Sequence, residues 1–351
     1  MKLVFDVKDK PKLGQLIVFA IQQLLAIMAA TLVVPVIING NASLEGADAM
    51  STAAALFGAG VGTLVYVLFT KAKSPVFLGS SFAFIGSMTA AFAGAASVAV
   101  GYLGLIIGAF FAGLVYVVIA IVVKFVGVDW LNRLMPAVVI GPTVAIIGLS
   151  LAGNAVGDLQ KSNATGKNSV IAVLCGVVTL IVTMICSTYG KKTAKLIPFI
   201  IGILSGYAVA AIFTAIGYAA DIDALKISDF SPLTILVADG LRLDTFFTLP
   251  KFTFVTALGG FKQIDGSYIG TVAAAYVPVA FVVFAEHIAD HKNISSIIEK
   301  DLLSDPGLSR TLLGDGVGSM AGALFGGCPN TTYGESVACV AITGNASVAT
   351  I

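Results

Sequence analysis

Apolar runs too long for a soluble core dominate this chain. A helix crosses a bilayer with about 20 apolar residues, and runs beyond about 18 mark such a span. About ten segments approach or exceed that length. They cover residues 15–38, 50–70, 76–95, 98–123, 134–153, 169–187, 196–220, 268–290, 311–326 and 329–351, and the ninth of these is short and glycine-rich. Only 11% of the 351 residues are charged, against about 25% in soluble domains. Much of the surface must therefore face lipid, and the expected class is an all-α polytopic membrane protein. The first run is too long for the apolar part of a signal peptide and reads as a span.

Charge placement sets the orientation. With ten spans and the N-terminus in the cytoplasm, 14 of the 20 Lys and Arg fall on the cytoplasmic side, as the positive-inside rule requires. Net charge is +1, which favours no nucleic-acid partner. The four cysteines, Cys175, Cys186, Cys328 and Cys339, have no metal-ligand spacing and read as small packing residues. The loop 221–267 carries Asp221, Asp223, Asp229, Asp239 and Asp244, and its stretch LTILVADGLRL reads as a short hairpin or interfacial element. The sequence stops at Ile351 inside an apolar run, which reads as a truncated end.

Ionisable groups at membrane depth are costly and mark function unless they are paired or wet. Four acids qualify here: Glu286, Asp290, Asp315 and Glu335. No charged residue lies between Asp265 and Glu286. Glu286 and Asp290 share one helix face, and His287 and His291 form a second pair about 100° away. Two carboxylates this close favour sharing a proton, the usual part of a membrane proton relay. His291 and Lys292 are expected to open a loop, and Asp315 is read equally as a helper or a packing partner. A zinc site on HIADH would need a third ligand, and these two are the sequence's whole histidine supply.

The third and tenth segments, SPVFLGSSFAFIGSMTAAF and GGCPNTTYGESVACVAITG, share a pattern. Each opens on a Gly/Pro-punctuated, hydroxyl-rich stretch and ends apolar. Broken elements in corresponding places of two halves point to a transporter site, since irregular backbone at that depth survives only where it is buried or lines a cavity. Ordinary small-residue packing, expected of Gly58 and Gly62 in the second span, is the competing explanation.

GSSFAFI (79–85), FAEHIADHKN (284–293), DLLSDPGL (301–308) and PNTTYGES (329–336) resemble the nucleobase–ascorbate, or nucleobase–cation symporter-2, family. In these motifs the chain is nearest to the family's bacterial uracil permeases. The resemblance implies an inverted repeat of seven plus seven spans, about ten of them present here, with the third and tenth each part strand and part half-helix. It implies a core domain from 14–127 (spans 1–4) and 268–351 (spans 8–10), the first part of a gate domain at 128–222 (spans 5–7), and an extracellular loop at 223–267. The implied substrate contacts are Phe82, Glu286, Tyr333, Gly334 and Glu335. The implied proton-coupling groups are Glu286 and Asp290, with His287 as a further candidate.

Uracil suits such a site. It offers two N–H donors and two carbonyl acceptors; carboxylates accept only, and free backbone amides donate. Phe82 or Tyr333 is expected to stack on its ring, and amides of Phe82, Tyr333 or Gly334 to meet its carbonyls. The sequence departs from the family pattern in four places. Asp290 stands where many uracil permeases carry histidine and many purine-transporting relatives carry aspartate. Ser336 and Ala338 replace an N-x-G continuation, Gln22-Gln23 replaces a frequent Gln-His pair, and the family's last four spans are absent.

The expected function is proton-coupled uracil uptake across the cell membrane, by a transporter and not an enzyme. A proton is the coupling ion, and no cofactor or metal is expected. Xanthine or uric acid symport is the alternative. An anion exchanger of similar fold would need a basic residue near the half-helices, and 76–95 and 326–351 contain none; a membrane zinc hydrolase is the remaining reading. The partners expected are uracil or a related nucleobase, the lipid bilayer and, left open, a second copy of the chain.

Overall fold

The computed structural model describes residues 3–127, 130, 136–190, 194, 198–238 and 249–351. The expected gate and loop segments lie partly outside them, at 128–129, 131–135, 191–193, 195–197 and 239–248, which includes Asp239 and Asp244. The chain forms two compact units, one of residues 1–147 with 250–351 and one of 148–249.

In chain order the principal elements are α1 (Leu13–Asn41), α2 (Thr52–Phe69), β1 (Leu78–Ser80), α3 (Ile85–Ala93), α4 (Val98–Val126), α5 (Ala137–Gln160), α6 (Val170–Tyr189), α7 (Pro198–Ala219) and α8 (Ser231–Ala238). Then follow α9 (Thr253–Ala257), α10 (Gly266–Ile298), α11 (Leu308–Gly326), β2 (Asn330–Thr332) and α12 (Gly334–Thr343). Six helices among the described residues are long and apolar enough to cross a membrane. Hydroxyl and carboxyl caps start several of them: Ser51, Ser97, Ser169 and Asp265 each accept from a backbone N–H three residues on. Gly327 and Gly344, both at positive φ, end α11 and α12.

The larger unit is built on close helix contact. Along α11, Gly314, Gly318, Gly322 and Gly326 recur every fourth residue and face α2. A methyl group at Gly62 would lie 2.8 Å from the Gly318 carbonyl, and one at Gly326 2.8 Å from the Ala54 carbonyl. Across the helix, one at Gly113 of α4 would lie 2.7 Å from the Gly316 carbonyl. Backbones meet there directly, the usual way small residues join helices in lipid. Gly58 and Gly62 thus pack as the sequence indicated, and the glycine-rich ninth segment is a 19-residue helix.

The third and tenth segments are broken as expected. β1 and β2 pair antiparallel with Leu78 opposite Thr332, Gly79 opposite Thr331 and Ser80 opposite Asn330. Ser81 N donates to Pro329 O at 2.9 Å, and Tyr333 N to Phe77 O at 3.2 Å. These bonds satisfy backbone groups that bilayer depth would otherwise leave unpaired. Half-helices α3 and α12 continue from the two strands.

One expectation fails and another narrows. α10 does not end near residue 290 but runs to Ile298, and His291 is fully buried rather than opening a loop. Of the two readings of the stretch from Leu233, hairpin or interfacial element, the hairpin is set aside as far as the stretch is described: 231–238 is helical. Pro232 suits a first helical position, and Asp229 accepts from the Ser231 N–H at 2.9 Å ahead of it.

In the smaller unit α6 packs on α7, with Gly202 and Gly206 against Thr183 and Thr179. Thr214 Oγ1 accepts from Ile227 N and Ser228 N, each at 3.0 Å. Lys226 pairs with Asp223 at 2.7 Å and holds that carboxyl below the usual carboxylate range.

Candidate functional site

Four elements of the larger unit bring the sequence-predicted residues together. Glu286 projects from α10, and Glu335 is the second residue of α12; both are half-buried. α10 packs against α12; Glu286 lies within electrostatic range of Asp290, Asp315 and Glu335, and Asp290 within range of Asp315 and Glu335. Asp290 accepts a hydrogen bond from Thr332 Oγ1 of β2 at 2.7 Å. Gly334 is exposed, and a methyl group there would sit 3.8 Å from Asp290 Oδ1. Phe82, half-buried, opens the turn Phe82–Phe84 that leads from β1 into α3.

Neither half-helix has a side-chain cap. An uncapped helix start favours an oxygen acceptor, and the Phe82–Phe84 turn and α12 each begin two residues after the end of β1 and β2. The arrangement offers acceptors from two glutamates, donors from two helix starts and one aromatic face. That set matches a small planar ring with both N–H and C=O groups.

Tyr333 plays a different part from the one its motif implied. Its ring is 3% exposed and packs on Gly79, with Ile27, Ala59 and Phe77 around it. Its hydroxyl donates to Ser80 O at 2.7 Å, and its N–H is bonded to Phe77. The side chain clamps β1 to α12 and is not free to stack on a ligand.

His287 turns away from Glu286. Its Nδ1 lies 2.6 Å from Asp315 Oδ2 and its Nε2 3.1 Å from Thr311 Oγ1. The His291 ring stacks on it at 4.0 Å, with Nε2 2.7 Å from the Tyr66 hydroxyl and Nδ1 2.8 Å from His287 O. All four ring nitrogens thus have partners inside the protein. The pair ties α10 to α2 and α11, and Asp315 is its packing partner.

Residues 14–351 match the profile of a family described simply as the permease family. The chain belongs to this permease family. It is 36% identical over 342 residues to the uracil permease of Bacillus caldolyticus, covering 97% of this chain and 70% of that one. It is 35% identical over 350 residues to the uracil permease of Bacillus subtilis strain 168, covering 97% and 70%. With the uracil permease of Escherichia coli K12 it shares 33% over 338 residues, covering 96% and 68%. A permease carries solute across a membrane, so the chain is a multi-pass transporter and not an enzyme.

Two of the permease's departures from the family pattern meet in space. Gln23 Nε2 of α1 donates to Ser336 Oγ of α12, and the same oxygen accepts from Phe77 N at 3.1 Å. Ser336 follows Glu335 directly, so this pair ties the first span to the residue beside a site carboxylate. Sequence reasoning noted both positions without joining them. It missed Thr332 and Tyr66 altogether: Thr332 lies inside the PNTTYGES motif and could have been found there, whereas nothing in the sequence singles out Tyr66.

Proposed function

We propose that this permease takes up uracil together with a proton across the cell membrane, with its N-terminus in the cytoplasm. The observation that carries the reading is the convergence of Glu286 and Glu335, on α10 and α12, beside two uncapped half-helices. The carboxylates accept the two uracil N–H groups, amides of Gly334 and of the Phe82–Phe84 turn donate to its carbonyls, and Phe82 covers the ring. Hydrogen bonds to charged groups contribute about 1.5–3 kcal/mol each. An analogue lacking one N–H leaves a buried acceptor unpaired and is rejected.

Glu286 and Asp290 share the coupling proton, and the charge they lose lets the loaded site cross the low-dielectric interior. Residues 14–127 and 268–351 act as the moving core, and 128–222 belong to the gate against which it works. The cytoplasmic N-terminus rests on the Lys and Arg bias. It also fits the pairing of Asp6 near the N-terminus with Lys300 past α10, and of Lys73 past α2 with Asp305, at 2.5 Å each.

Uptake of labelled uracil by cells expressing the protein, with unlabelled uracil, xanthine and uric acid as competitors, tests this. Uracil is expected to compete at the lowest concentration, and uptake to fall as external pH rises from 6 to 8. Stronger competition by xanthine favours the purine reading that Asp290 supports. Uptake indifferent to pH in de-energised and energised cells alike contradicts proton coupling.

A further inference from the structure

Residues 3–9 precede α1 and take no part in the site, yet they are bonded along their length to the chain that leaves α12. Val4 N and Phe5 N both donate to Gly344 O, at 2.7 and 3.3 Å. Ala346 N returns a bond to Phe5 O at 2.9 Å, and Val348 N to Val7 O at 3.2 Å. Ser347 Oγ donates to Asp9 O at 2.6 Å. The bridge between Phe5 and Asn345 is parallel, so the segment lies alongside the end of α12 like an added strand.

Two side chains fasten it. Val7, 5% exposed, sits in one apolar cluster with Ile294 and Ile298 of α10, Leu302 beyond it, and Val337 and Val340 of α12. The Asp6 carboxylate oxygens lie 2.6 and 2.5 Å from Lys300 Nζ. The Lys300 ammonium, the Val7 N–H and Lys8 hold this carboxyl below the usual carboxylate range. The pair is therefore charged at neutral pH and is lost only when pH falls through that depressed value.

One segment thus grips the same ends of the two helices that carry Glu286 and Glu335. α12 has 10 residues, too few to hold a helix without outside support. β2 fixes its start, and residues 3–9 fix its end. We infer that residues 3–9 are a positioning strap that sets Glu335 against Glu286, and that nucleobase binding tightens it. The inference rests on the nucleobase reading given above. Its logic is reciprocal: if docking the strap favours the binding geometry, ligand must favour docking by the same factor.

Hydrogen exchange on the purified protein, with and without saturating uracil, tests it alongside uracil affinity in the same preparation. Uracil is expected to slow exchange severalfold at the locally opening amides that join the strap to the chain after α12, those of Val4, Phe5, Ala346 and Val348. Asp6→Lys is expected to weaken uracil binding about two- to fivefold, as befits a half-exposed ion pair. Adding Lys300→Asp to Asp6→Lys is expected to restore most of the affinity, which a merely structural lesion would not. If uracil binds but leaves those amides exchanging at the same rate, or if the double variant binds no better than the single, the strap is overturned. If uracil fails to bind while another nucleobase slows the same amides, the uracil reading falls and the strap stands.

Discussion

Gly79 faces the Tyr333 ring so closely that a methyl group there would overlap its carbons. That ring is buried and bonded to Ser80, so it has no room to yield without moving α12. Overpacking of this kind costs about 1–3 kcal/mol. Gly79→Ala is therefore expected to weaken uracil binding about tenfold while the protein still folds, read as a raised KM for uptake. An unchanged KM would detach Tyr333 from the geometry of Glu335. At this scale the acids were legible because a charge inside an apolar run has few explanations. Thr332 and Tyr66 were not, since hydroxyls occur freely in such runs and carry no cost that marks them. Tyr66 finds its partner His291 225 residues away, and no local pattern encodes that distance.

Broken and unbroken elements were legible to different degrees. The strands and half-helices of the third and tenth segments followed from their Gly/Pro punctuation and hydroxyl-rich openings. The end of α10 did not, because HKNISS looks like a solvated terminus until His291 is seen stacked on His287 and bonded to Tyr66. The partner of Gly58 and Gly62 was likewise unreadable, although glycines four apart announced a close helix contact. That contact carries its own prediction. A leucine at Gly62 would drive its Cβ into the Gly318 carbonyl, 2.8 Å away, and towards the Asn330 amide. Gly62→Leu is expected to separate α2 from α11, lower the melting temperature by several degrees and shift β2, with a cost of about 1–3 kcal/mol or more. A variant melting with the wild type would show that the two helices are not held by backbone contact.

For the molecule as a whole, class and family were legible because lipid imposes length and composition on every span, and PNTTYGES beside AEH narrows the field further. The larger unit gathers both site glutamates, both half-helices and the strap, though its two chain segments are separated by 102 residues. Such gathering is a property of topology, and only the correspondence of the third and tenth segments hinted at it. The central claim is that Glu286 and Glu335 together hold the nucleobase. Equilibrium binding of labelled uracil to the purified protein and to Glu286→Gln and Glu335→Gln tests it most directly. Each substitution replaces a carboxyl group with an amide of nearly the same shape that places an N–H donor where an acceptor stood, so each is expected to weaken binding about ten- to a hundredfold. Binding by both variants as tight as by the wild type would contradict the account.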